Sequence, residues 1–140
     1  MLPLNRFSST FRRVVTRHPW LADTPARVAK PASPTDLPGP EATLAIIQRH
    51  EALRRRGRPG FSVVVLDVGA PPAGVHLVRQ LMRPFRERAR GGDEIGWLAP
   101  DRFALILPLT GREGAMRFVA ELFSRLGEGY STAPFDIFTA

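Results

Sequence analysis

The 140-residue chain contains no cysteine, which removes disulfide frameworks, thiolate metal sites and thiol nucleophiles from consideration and fits a reducing compartment such as the cytoplasm. It has no apolar run near the roughly 18 to 20 residues that a membrane-spanning helix needs. The three histidines, His18, His50 and His76, lack metal-ligand spacing, and no serine and histidine constellation suggests hydrolysis. Lysine is nearly absent too. Lys30 is the only one, so the net charge of +7 is carried almost wholly by arginine. Arginine forks onto phosphates and guanine edges better than lysine does, which is suggestive of nucleotide contact, although GC-rich coding produces the same bias.

What remains is one domain's worth of chain, with enough apolar residues, 44%, for a single core. The charge is uneven. Residues 1 to 40 hold six basic side chains against two acidic, whereas 41 to 140 hold fourteen against eleven. The first forty residues are rich in proline and poor in apolar periodicity, with PARVAKPASPTDLPGP as a linker composition, and are expected to form a basic disordered arm. Residues 1 to 20 carry no acid and are loosely amphipathic, so weak contact with an anionic membrane surface is a second reading of that arm.

From Glu41 the pattern tightens. Glu41 to Arg56 predicts a helix with Leu44, Ile47 and Leu53 on one face, stopped by Gly57 and Pro59. Phe61 to Val68 is a β-branched run, apolar on both faces, and predicts a covered central strand. Residues 72 to 89 carry a helical stripe that Pro84 must kink or interrupt and that Gly91 and Gly92 end. Ile95 to Leu98 and Phe103 to Leu107 predict two strands joined by a hairpin-sized link. Thr110 and Glu113 predict a capping box for a helix whose apolar stripe runs from Ala115 to Leu126, and Phe135 to Thr139 predicts a last strand. After the first helix, the order is strand, helix, strand, strand, helix, strand. This is an α/β chain of the α+β kind: a ferredoxin-like βαββαβ antiparallel sheet with its helices on one face, plus an N-terminal helix.

The hairpin string Ile95 to Pro108 reads IGWLAPDRFALILP, and Ala99-Pro100-Asp101-Arg102-Phe103 at its centre resembles the signature of the GGDEF, or diguanylate cyclase, family. Arg90-Gly91-Gly92-Asp93 ahead of it is similar to the RxxD motif with which that family binds cyclic di-GMP at an inhibitory site. The resemblance covers residues 41 to 140 and implies a truncated GGDEF-like domain. By the same resemblance, Asp67 stands where the family has a metal ligand, but the base-reading residues after it are missing, and the interval to Arg90 is shorter by roughly two helical turns. Ala99 and Pro100 replace the glycines that admit the triphosphate, and Arg102 replaces a carboxylate where magnesium would sit. Asp67, Ala99, Pro100, Asp101, Arg102 and Phe103 therefore form a vestigial active site. No metal or other cofactor is expected, Arg102 is expected to neutralise one of the two aspartates, and the chain is expected to be a pseudoenzyme. Gly91-Gly92-Asp93-Glu94-Ile95 spells the signature more closely, but only residues 68 to 90 would then separate it from Asp67, too few for both a helix and a strand.

In this reading, Arg90 and Asp93 hold cyclic di-GMP. The guanidinium donates to guanine O6 and N7 or to phosphate, the carboxylate accepts from guanine N1 and N2, and Arg86 or Arg117 adds a second contact. The implied role is a receptor or regulatory module, such as those controlling exopolysaccharide production, with a protein partner and a ligand-bridged homodimer as its means of signalling. A ligand-free interaction scaffold is the alternative. An RNA-binding module of the RRM type shares the element order, but it needs exposed aromatics on the sheet, and the central strands offer only Phe103, so neither RNA nor DNA is expected as a partner.

Overall fold

The computed structural model describes residues 36–127, 130 and 132–140. Most of the basic arm, including the stretch considered for membrane contact, lies outside the described residues. The elements are α1 (Pro40–Arg55), β1 (Phe61–Asp67), α2 (Ala73–Arg88), β2 (Glu94–Ala99), β3 (Arg102–Pro108), α3 (Arg112–Ser124) and β4 (Phe135–Thr139). The four strands form one antiparallel sheet in the order β2-β3-β1-β4. The predicted ferredoxin-like α+β architecture is therefore the observed one. Among the described residues, no helix is long and apolar enough to cross a membrane.

Alternation along the central strands explains why they read as apolar on both faces. Phe61, Val63 and Val65 of β1, with Ala104 and Ile106 of β3, pack beneath Ile47 of α1. Val64 and Leu66, with Phe103, Leu105 and Leu107, face the other way and meet Val78, Leu81 and Phe85 of α2 and Phe118, Val119 and Leu122 of α3. Side chains of successive strand residues point to opposite faces, so a strand covered on both sides must be apolar throughout.

The buried stripe of α1 differs from the predicted one. Thr43, Ile47 and Glu51 are fully buried at four-residue spacing, whereas Leu53 is exposed. Two features admit the polar members. A Cβ on Gly96 would lie 2.1 Å from Thr43 Oγ1, so only glycine at that point of β2 lets the helix approach. Glu51 is paired by Arg54, which donates to it from Nε at 3.1 Å and from Nη2 at 2.5 Å. The hydrogen bond to Glu51 pushes the Arg54 guanidinium above its ordinary value, against a smaller opposing effect of burial. Leu37 to Gly39 then strap α1 to the sheet edge, since the Pro38 carbonyl accepts the Trp97 amide at 2.8 Å and the Thr43 hydroxyl at 3.3 Å.

Pro84 sits inside α2 without ending it, and the helix stops at Arg88, before the two glycines, where Ala89 turns extended (ψ 144°). The expected capping box is also absent. Gly111 is the N-cap of α3 and has no side chain to cap with, while Thr110 falls one residue ahead of it with its hydroxyl engaged elsewhere.

Candidate functional site

Two clusters of chemistry-bearing side chains lie at opposite ends of β2, one strand of six residues or about 20 Å apart. At one end is the hairpin tip. Only Pro100 and Asp101 link β2 to β3, a tighter turn than the predicted four-residue link, with a bulge between Trp97 and Ala99. Arg102 opens β3 directly opposite Asp67, the last residue of β1. Its Nη1 forms an ion pair with Asp67 Oδ1 at 2.9 Å and donates a hydrogen bond to Asp101 Oδ2 at 3.0 Å. The structure thus brings both aspartates together, but with a guanidinium between them, which pairs with both rather than with one as expected. Asp67 Oδ1 also accepts the Gly69 amide at 3.3 Å. The guanidinium takes one oxygen of each carboxylate and places a positive charge between them, where it competes with any divalent metal. Among the described residues, no three His, Asp or Glu side chains gather into a metal-binding group. Ala99 and Phe103 are buried. Phe103 packs edge-on against Trp97 with ring centroids 5.1 Å apart, so both belong to the core.

The other end is the bend from α2 into β2. Asp93 closes it, with its Oδ2 accepting the Arg90 amide at 2.8 Å and its own amide donating to the Arg90 carbonyl at 3.0 Å. The two side chains share one bend without forming an ion pair. The exposed Arg90 guanidinium instead reaches across to the end of β3, where Nη2 donates to the Pro108 carbonyl at 3.2 Å and to Thr110 Oγ1 at 2.6 Å. The Thr110 hydroxyl donates its own hydrogen bond to the same Pro108 carbonyl, at 3.0 Å. Nε and Nη1 of Arg90 and Oδ1 of Asp93 have no partner among the described residues.

Arg86 on α2 and Arg117 on α3 are exposed, and no hydrogen bond or ion pair ties either to Arg90. Arg88, which sequence reasoning passed over as a contact, joins the two helices by an ion pair to Glu121 and lies over the Phe118 ring, 5.4 Å from its centroid. Pro108 and Thr110 were also missed as neighbours of Arg90, and the observed hairpin register is what brings them there. Glu94 pairs with Ile106 and Trp97 with Phe103, numbers that sum to 200, and continuing this register sets Gly92 against Pro108 and Arg90 against Thr110. A separate cleft of about 510 Å³ between α2 and α3, lined by Arg79, Gln80, Arg83, Glu87 and Arg125, includes no residue of either cluster.

No family model matches the chain, and no curated protein matches it. Solved structures do. The diguanylate cyclase SiaD from Pseudomonas aeruginosa, solved in complex with its activator SiaC, superposes with a TM-score of 0.53 at 18% identity, over 92% of this chain and 55% of that one. The S helix-GGDEF-EAL portion of Vibrio cholerae LapD, bound to c-di-GMP, superposes with a TM-score of 0.52 at 12% identity, over 91% of this chain and 31% of that one. The chain therefore spans about half or less of each of these structures. At such identities the likeness establishes the fold, which is GGDEF-like.

Proposed function

We propose that the chain is a catalytically inactive GGDEF-like module that binds cyclic di-GMP at the bend from Arg90 to Asp93 and relays its occupancy to a protein partner. The observation that carries this reading is the state of that bend. Its arginine is exposed and held by Nη2 only, leaving Nε–H and Nη1–H as separate donors, while Asp93 keeps one carboxylate oxygen for an acceptor role. A guanine O6 or N7, or a phosphate oxygen, can accept from such a donor, and the guanine N1 and N2 donors can reach such a carboxylate. LapD, a structural neighbour, is bound to c-di-GMP, and SiaD is bound to a protein activator, which agrees with a ligand and a protein partner for this fold.

Loss of catalysis follows in this reading from the hairpin tip. Phosphoryl chemistry on a nucleotide triphosphate needs carboxylates that hold magnesium, and Arg102 pairs with one oxygen of each and puts a positive charge where the ion would sit. No metal is required for binding at the distant bend. A ligand-bridged homodimer and a role in exopolysaccharide control are consequences that the reading allows. Stacking of RNA on the sheet is disfavoured because helices cover both its faces and Phe103 is 1% exposed. Titration calorimetry of cyclic di-GMP into the wild type and Arg90→Ala tests the receptor reading: heat in the first and none in the second supports it. A wild type without heat leaves the interaction scaffold.

A further inference from the structure

We infer that the bend Pro108-Leu109-Thr110 between β3 and α3 is the second wall of the ligand site: Thr110 and the Pro108 carbonyl orient the guanidinium of Arg90, and Leu109 supplies the apolar contact. This rests on the proposed binding of cyclic di-GMP at Arg90 and Asp93. Arginine has several rotatable bonds, and an exposed one that must meet a planar base edge loses that freedom on binding. Here Nη2 is already fixed by two acceptors, and one of these, Thr110 Oγ1, is itself held by its bond to the Pro108 carbonyl. The guanidinium is thereby preset, with Nε and Nη1 left to donate.

Leu109 gives an independent sign. Its backbone lies in the left-handed region, at φ +59°, where a bulky residue is strained, and its side chain is 66% exposed. Its amide is anchored to the Gly60 carbonyl at 3.0 Å, so the strained geometry is imposed by the sheet end. Glycine or asparagine takes this conformation readily. An exposed leucine kept in it, between the two residues that hold Arg90, gains nothing for folding, and local strain of this kind concentrates at ligand contacts. A base docked at this guanidinium needs an apolar surface against its ring face, which Leu109 provides.

The test is calorimetry with cyclic di-GMP on the full chain, alongside thermal unfolding of each variant. Thr110→Val removes the hydroxyl at constant shape and is expected to weaken binding about tenfold, the size of one lost hydrogen bond. Thr110→Ser, which keeps the hydroxyl, is expected to bind within about twofold of wild type on the same ground. Leu109→Asn is expected to melt no lower than wild type and yet to bind several-fold more weakly. Wild-type affinity in Thr110→Val or in Leu109→Asn, with Arg90→Ala still abolishing binding, overturns this inference and leaves the receptor reading standing. Absence of binding in the wild type overturns both.

Discussion

Arg102 and Asp67 face each other across β3 and β1, joined at 2.9 Å, and the same guanidinium nitrogen reaches Asp101 at 3.0 Å. A cation supplied by the chain stands between two carboxylates at the tip of a sheet whose fold is shared with cyclases.

Replacing Arg102 with glutamate exchanges that cation for a third carboxylate. The variant is expected to lose about 1 kcal/mol of stability at low salt, through like-charge repulsion at a half-buried cluster, and to recover it in high salt or with millimolar magnesium. Urea unfolding with and without the ion checks both effects. Equal stability under all conditions contradicts the role given to Arg102.

Gly96→Ala tests the seating of α1. The added methyl group would overlap Thr43 Oγ1, and a cost of about 1–3 kcal/mol is expected from overpacking. Combining it with Thr43→Ala should cost less than the two single changes added together, because the second substitution vacates the space that the first fills. Strict additivity in a double-mutant cycle argues against this contact.

Arg54→Ala leaves Glu51 buried without its partner, and a loss of about 1–3 kcal/mol is expected for the unsatisfied carboxylate. Arg49→Ala, which removes a mostly exposed guanidinium from Glu94, should cost under about 1 kcal/mol. Chemical denaturation of the two variants ranks them, and the opposite order contradicts the importance assigned to burial.

At the bend, Asp93→Asn keeps an oxygen that accepts the Arg90 amide but removes the charge offered to guanine N1 and N2. The fold should persist and affinity for cyclic di-GMP should fall about tenfold or more, since hydrogen bonds to charged groups exceed neutral ones. Arg90→Lys should be as damaging, because an ammonium lacks the planar fork. Calorimetry with circular dichroism separates binding from folding in each case.

Strand and helix order was legible because periodicity reports covered faces: the uninterrupted FSVVVLDV run could only be a strand sandwiched between helices, and β4 lies where FDIFT predicted it. Contacts distant in sequence were less legible. Nothing local reveals that Gly96 makes room for Thr43 or that Glu51 is buried beside Arg54, so Leu53 was assigned to the core in their place. Thr110 followed the local pattern of a capping residue, but a tertiary partner twenty positions away took its hydroxyl. The partner follows from the observed hairpin register, which the wider predicted link sets one residue off. Arg86 and Arg117 had no such support, and the structure gives them none.

The central claim is tested most directly by titrating cyclic di-GMP into the wild type and Arg90→Ala in the same buffer. Saturable heat with the wild type and none with a folded Arg90→Ala is the predicted result. A flat titration of the wild type, or equal binding by both proteins, contradicts the account.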